Sequence, residues 1–310
     1  MAQHRNGAGM SHSGMAPRDV PVARAEFVEW AEGPGGALLA SRGAGPLGGI
    51  LAISARQAEL YFINADMTNL ARQVGQGLDV YALARDDLPA EHGFLVWDGP
   101  PTGEHSGIAP AAVTWMTSGE RIVVSLLVSA AGYRDWCKSH SPQAVKDAGL
   151  VTVGRLVYRG RGPTLPLDGP DIPWSRLGFG GEEEATRTLL ATLILINQPV
   201  EERRSLHETE DVQPARSAQK FIRRLGGDPT QTVRTVTLRQ SLRPGREETS
   251  GGQAARIYRH RWFVKAHRAR QYYPSRGEHQ MIWRGPYLVV PPGCEDAPLL
   301  GGDRVNVLRR

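Results

Sequence analysis

Cationic and aromatic side chains are interleaved in one stretch near the carboxyl end of the chain, residues 256–283. This stretch has the sequence RIYRHRWFVKAHRARQYYPSRGEHQMIW. Arg and Lys neutralise nucleic-acid phosphates and release their counterions, while flat aromatic faces stack on unpaired bases. The pattern therefore predicts contact with a nucleic acid, and RNA is favoured. The residues predicted to make this contact are Arg259, Arg261, Lys265, Arg268, Arg270, Trp262, Tyr272 and Tyr273.

The first part of this stretch, residues 258–265, has an alternation that fits a β-strand. Successive side chains of a strand point to opposite faces, so Arg259, Arg261 and Phe263 are expected on one face. His260, Trp262 and Val264 are then expected on the other. Two other interpretations of the same residues are a surface for a protein partner, and a solvated edge strand with ordinary packing aromatics.

His267 is the one candidate for a catalytic residue in this stretch. A histidine can act as a general base while a nearby cation stabilises developing phosphate charge, which is what a metal-independent ribonuclease needs. Lys265, Arg268 or Arg270 would supply that cation. A structural histidine that forms a hydrogen bond in a turn is the simpler interpretation, so the sequence favours a protein that is not an enzyme.

Neither a metal site nor a cofactor site is predicted. The spacing of His260, His267 and His279 matches no zinc pattern, and no cysteine lies close to them in sequence. The chain also lacks the GxxxxGK[ST] motif of nucleotide hydrolysis and the GxSxG motif of serine hydrolases.

Charge is distributed unevenly along the 310 residues. The net charge is +5, but residues 212–285 alone carry 16 Lys and Arg against 4 Asp and Glu. The rest of the chain carries 21 cations against 28 acids. An acidic body joined to a basic end is typical of a protein in which one region faces a polyanion.

Cysteine content and hydropathy predict a cytoplasmic protein with no membrane association. Cys137 and Cys294 are far apart in sequence, which is typical of a reducing compartment rather than a disulfide scaffold. The first 19 residues contain no apolar segment of signal-peptide length. The most apolar run, residues 189–196, is much shorter than the roughly 18 to 20 residues that span a bilayer.

The elements that would position these residues predict an α+β fold. Short apolar runs at 93–97, 111–116 and 121–129, with a weaker one at 150–158, predict strands in antiparallel pairing, because their connections are too short for helical crossovers. The run LLATLILI predicts a helix over 183–197 that is buried on every side. A half-buried strand is predicted over 232–240.

Less regular patterns precede these elements. Residues 22–54 mix Gly and Pro with short apolar runs, which predicts short strands and turns or a loosely ordered entry to the first helix. That helix is predicted from Ala55 to about residue 73. Four regions follow from these patterns: a disordered N-terminus at 1–20, an α+β body at 21–200, a charged helical connector at 201–231, and a small basic, aromatic-rich, β-rich C-terminal module at 232–310.

The C-terminal segment resembles a family known from phages and plasmids that includes a type V anti-CRISPR protein. The resemblance is carried by VKAHR at 264–268, QYY at 271–273 and WRGP at 283–286. It extends in the same order to LP at 88–89, FLVW at 94–97 and the apolar run before Pro199, and it is strongest over 256–290. Ala266 stands where the family usually has glycine, and Arg268 where it usually has an aromatic residue.

The resemblance implies a regulator rather than an ordinary enzyme. The family's anti-CRISPR member acts on the messenger RNA of the effector nuclease, which implies RNA and a nascent polypeptide or the ribosome as partners. We therefore predict an RNA-associated regulatory protein of a phage, plasmid or other mobile element, in which His267 organises the motif. The alternatives are a module that binds an acidic or nascent polypeptide, and a metal-independent ribonuclease centred on His267.

Overall fold

The computed structural model describes residues 13–103, 108–147, 151–177, 179, 182–197, 207–238, 261–264, 267–273, 278–284, 287–289 and 299–300. The protein has an α+β fold, as predicted. An eight-stranded mixed sheet carries helices on both faces, and short strands follow in the C-terminal region. Within the described ranges, no helix combines the length and apolarity needed to cross a bilayer.

The helices fall into an N-terminal group, two that flank the sheet, and three connecting elements. Their bounds are α1 Val20–Glu32, α2 Pro34–Leu39, α3 Leu47–Gln57, α4 Ala65–Gln76, α5 Ala130–Ser139, α6 Pro142–Asp147, α7 Glu183–Ile196 and α8 Arg216–Arg224. Short 3-10 turns lie at Pro17–Asp19, Arg85–Asp87 and Trp174–Arg176, and one π-helical turn at Ala40–Ala44.

The strands are numbered in chain order. Their bounds are β1 Glu59–Ile63, β2 Val80–Tyr81, β3 His92–Trp97, β4 Pro110–Ser118, β5 Arg121–Ser129, β6 Val151–Val153, β7 Leu156–Pro166, β8 Ile172–Pro173, β9 His207–Val212, β10 Val233–Leu238, β11 Arg261–Val264, β12 His267–Tyr273, β13 Glu278–Arg284, β14 Tyr287–Val289 and β15 Leu299–Leu300.

The large sheet has the strand order β6-β7-β5-β4-β3-β1-β10-β9. The single strand predicted over 150–158 is instead β6 and the start of β7, with a turn at 154–155. The strands β3, β4, β5, β7 and β6 pair antiparallel with one another in this order, which confirms the antiparallel pairing predicted for residues 93–158. β1 is different, because it pairs parallel with both β3 and β10. Parallel neighbours need long crossovers, and the segments that contain α4 and α7 supply them.

Both faces of the central part of this sheet are buried, as β1 shows. Tyr61 and Ile63 enter the core under α4 and α7, whereas Leu60 and Phe62 enter the core under α1 and α3. Because neighbouring side chains alternate between faces, a strand covered on both sides must be apolar at every position. The continuous apolar runs of β1 and β3 have this cause.

α7 confirms the prediction of a buried helix. Its residues from Thr188 to Ile196 are all buried, and Glu183 and Glu184 occupy its first turn, where the positive end of the helix dipole favours acids. The Thr192 hydroxyl accepts a hydrogen bond of 3.4 Å from the Trp97 indole N–H, and it donates one to the Thr188 carbonyl. The polar groups of this buried helix are thereby paired.

The N-terminal region differs from the prediction. Ser13, Met15 and Val20 are buried, so the order of the chain begins before residue 20, while residues 1–12 lie outside the described residues. Residues 20–57 form α1, α2 and α3 rather than short strands and turns. Close glycine packing explains this: a Cβ on Gly48 would lie 2.4 Å from the Gly36 Cα. Gly36 and Gly48 thus permit close helix contact, whereas Gly43 and Gly45, with φ of 79° and 54°, turn the chain between α2 and α3.

Three further predictions are corrected by the positions and pairing of the strands. The single helix predicted over 55–73 is instead the end of α3, the central strand β1 and the first part of α4. β10, predicted as the start of the C-terminal module at residue 232, pairs with β1 and β9 in the large sheet. The connector predicted as helical over 201–231 contributes β9 to that sheet as well as α8. Local alternation predicted a strand over 232–240, where β10 lies, but alternation carries no information about the partner strand.

Candidate nucleic-acid interface

The clearest candidate interface is a two-stranded antiparallel ribbon near the carboxyl end. β12 and β13 pair over seven positions, from His267 opposite Arg284 to Tyr273 opposite Glu278. We call residues 267–273 and 278–284 the C-terminal ribbon. The strands come from the segment in which sequence analysis placed most of its contact residues.

Backbone register separates the predicted residues between the two faces of the C-terminal ribbon. Positions 268, 270 and 272 share one face with the positions opposite them, 283, 281 and 279. Positions 267 and 273 belong to the other face. The structure thus brings Arg268, Arg270 and Tyr272 to one face, and it places Tyr273 and His267 on the opposite one.

Tyr272 is the most informative side chain of the C-terminal ribbon. It is 48% exposed, an unusual state for a large aromatic residue. Its ring lies 4.9 Å, centroid to centroid, from the ring of the exposed His279, with 50° between the ring planes. The two residues are directly opposite in the ladder, where cross-strand side chains contact each other. The two rings contact each other, and together they form an aromatic surface that faces solvent.

Arg270 is exposed on the same face, two residues before Tyr272. Residues separated by two along a strand are about 6.7 Å apart. A cation and an exposed ring at this separation can act together on one nucleotide chain, the guanidinium on a phosphate and the ring on a base.

The other predicted contact residues are distributed differently. Arg261 and Trp262 lie on β11, which pairs with β14 on one side and β15 on the other. β11 is therefore a central strand of a separate three-stranded sheet, and the edge-strand interpretation is wrong for it. Adjacent residues of a strand belong to opposite faces, so Arg261 and Trp262 do not share one. Arg259 and Lys265 lie outside the described residues.

A second group of cations lies on α8, and the sequence analysis did not predict these residues as contact residues. α8 carries four cationic side chains, all exposed and with no acid in the helix. These residues are Arg216, Lys220, Arg223 and Arg224. The signal was present in the sequence, because 216, 220 and 223 follow the i, i+4, i+7 spacing of one helix face.

Metal ligands and the catalytic candidate His267 were also searched for in the part of the chain that the structure describes. Among those residues, no three His, Cys, Asp or Glu side chains group closely enough to hold a metal ion. His267, the catalytic candidate, begins β12 opposite Arg284. Register places His267 on the face opposite Arg268 and Arg270, two of the three cations predicted to assist it.

Comparison with known proteins gives no assignment. No protein-family model matches the chain, and neither the curated proteins nor the solved structures include a match. The resemblance to the phage and plasmid family stays a prediction, and function is inferred below from the residues of the C-terminal ribbon.

Proposed function

We propose that this protein is an RNA-associated regulatory protein of a phage, plasmid or other mobile element, acting in the cytoplasm. Its C-terminal ribbon would hold single-stranded RNA. The observation that carries the proposal is the exposed Tyr272, supported by His279 and accompanied by the exposed Arg270 on the same face. The regulatory part of the proposal is supported by the family resemblance of residues 256–290.

Stacking explains why a half-exposed tyrosine suits an unpaired base. A base stacked on an aromatic side chain contributes about 1–3 kcal/mol, and it does so for every base because each has a π-face. The bases of a duplex are already stacked on one another, so a single strand is the form that such a ring binds. Arg270 adds a phosphate contact that requires no particular sequence.

The charge of the chain supports the same partner. The excess of 16 cations over 4 acids in residues 212–285 would attract a polyanion from a distance and raise its association rate. The remaining, acidic part of the chain would repel RNA. Binding would then be confined to the C-terminal part of the molecule.

The first experiment measures binding of a labelled single-stranded RNA of mixed sequence across a salt series. We expect log affinity to fall linearly with log salt, with a slope of about −0.7 per phosphate contact. Tyr272→Ala should weaken binding by about 1–3 kcal/mol. Tyr133→Ala, which removes a partly exposed tyrosine on α5, is the matched control and should bind as the wild type does.

Four results would reject or redirect the proposal. Absence of RNA binding at low salt would overturn the proposal. Equal affinity of Tyr272→Ala and the wild type for RNA would show that the C-terminal ribbon is not the RNA-binding surface. RNA binding that is absent or insensitive to salt, together with binding of an acidic polypeptide, would favour the protein-binding alternative. Cleavage of the RNA that persists with a chelator and disappears in His267→Ala would favour the ribonuclease.

A further inference from the structure

α8 combines exposed positive charge with a complete absence of acids. Its sequence, RSAQKFIRR, contains four cations in nine residues. All four side chains are exposed, and Arg216, Lys220 and Arg223 follow one helix face. We call these three residues the α8 basic face.

The helix is held so that this face points to solvent. Ile222 is fully buried, and α8 packs against α1. The Gln219 side-chain amide donates a 3.2 Å hydrogen bond to the Pro214 carbonyl at the start of the helix. Phe221 is partly buried, and the Arg224 guanidinium covers it at 4.9 Å from the ring centroid. The large apolar side chains of α8 therefore already pack against other residues of this protein.

The α8 basic face opposes the stability of its own helix. Arg216 and Lys220 are like charges at i, i+4, and so are Lys220 and Arg224. Arg216 lies at the N-terminal end, where the helix dipole disfavours a cation. No ion pair relieves these four side chains among the residues that the structure describes. The helix dipole favours Arg223 and Arg224 in the last turn, but an acid at position 216 or 220 would relieve the repulsion and stabilise the helix.

We propose that the α8 basic face binds the phosphate backbone of RNA, as a second contact separate from the C-terminal ribbon. This inference rests on the proposed function. At 1.5 Å per residue, Arg216 and Arg223 are about 10 Å apart along the helix axis, enough to follow roughly three successive phosphates of a helical strand. The contact is sequence-independent, because it involves no base edge.

Charge complementarity favours a polyanion over a folded protein as the partner. Protein interfaces have an apolar core from which lysine is depleted, and the apolar residues of α8 are already packed against the protein itself. The strand that leads into α8 is acidic, with Glu208, Glu210 and Asp211 exposed on β9. These acids would repel RNA and limit its path to the helix.

The test compares two triple variants of the full-length protein with the same single-stranded RNA. Replacement of Arg216, Lys220 and Arg223 by Gln should lower affinity about tenfold or more near physiological salt, and it should reduce the salt slope by about 0.7 for each phosphate that is no longer neutralised. Its Tm should equal or exceed that of the wild type, because the repulsion within α8 is removed. Replacement of the exposed Arg121, Arg134 and Arg176 by Gln removes the same net charge elsewhere and serves as the control.

The outcomes distinguish a failure of this inference from a failure of the proposed function. Absence of RNA binding by the wild type overturns the proposed function and, with it, the inference. Wild-type binding that is weakened by Tyr272→Ala but unchanged in affinity and slope by the α8 variant overturns the inference alone. An equal decrease in affinity of the control variant also overturns it, because net charge would then explain the effect. A decrease confined to binding of an acidic peptide, with RNA binding intact, assigns α8 to a protein partner and overturns it as well.

Discussion

The large sheet and the C-terminal ribbon use their faces in opposite ways. The strands β1 and β3 place side chains in a core on each side of the sheet, and Trp97 and Trp115 are almost completely buried. The C-terminal ribbon consists of two strands and leaves Tyr272 48% exposed. A ring in the sheet stabilises the fold by leaving water, whereas the ring of Tyr272 keeps about half of its surface in water. The same residue types are therefore core residues in one region and surface residues in the other.

The largest expected effect tests this contrast directly. Trp97→Ala removes a fully buried ring under α7 and should lower the free energy of unfolding by about 3–5 kcal/mol. Tyr272→Ala should change it by less than about 0.5 kcal/mol, because the ring is exposed. Urea denaturation of both variants measures the difference. Similar decreases in the two variants would show that the ribbon contributes to the same cooperative core.

A smaller effect is expected where α4 and α7 approach each other over the sheet. A Cβ on Gly75 would lie 2.7 Å from the backbone carbonyl of Arg187, so Gly75→Ala should destabilise the protein by about 1–3 kcal/mol. Gly49 in α3 is the matched control, since a Cβ there meets no atom within 4 Å. Gly49→Ala should be neutral or stabilise by about 0.4–1 kcal/mol. Thermal unfolding that ranks the two substitutions in reverse would contradict the close helix packing.

The smallest of these effects concerns alkaline pH. Burial, with a smaller contribution from the charge of Asp87, raises the pKa of Tyr81, whose hydroxyl donates a 2.7 Å hydrogen bond to the Pro166 carbonyl. Folding therefore favours the neutral phenol, and its contribution is complete below the unfolded pKa of about 10 and declines as pH rises above it. At pH 11 the decrease should be about 1 kcal/mol.

Tyr81→Phe isolates this contribution, because it removes the titrating hydroxyl. The variant should be less stable than the wild type at pH 8, since the hydrogen bond to Pro166 is absent. Its decrease in unfolding free energy between pH 8 and pH 11 should, however, be smaller by about 1 kcal/mol. An identical decrease in variant and wild type would show that Tyr81 does not titrate differently on unfolding.

Sequence alone predicted the elements whose pattern is determined locally. The antiparallel strands β3, β4 and β5 and the buried helix α7 were predicted from short apolar runs and from all-round apolarity. The predicted helix across β1 was wrong because ELYFI is short, apolar and next to helical residues on both sides. Periodicity cannot distinguish a short buried strand from a buried helical segment.

The candidate interface was predicted in part for a similar reason. Composition identified the basic, aromatic segment that contains Arg270 and Tyr272, but strand alternation was predicted only for residues 258–265, ahead of β12. The exposure of Tyr272 and its contact with His279 required the register between β12 and β13. The α8 basic face was visible as a spacing of cations, but its significance depended on the burial of Ile222 on the opposite side.

The amino-acid sequence by itself determined the α+β composition of this protein, the apolarity of its inner strands and the concentration of positive charge near its carboxyl end. Tertiary structure alone decided that β1 lies between two parallel neighbours, that β10 joins the large sheet, and that Arg270 and Tyr272 share an exposed face. The physical reason is that a residue's type reflects the polarity of its own surroundings. Pairing and register depend on which distant segment supplies those surroundings.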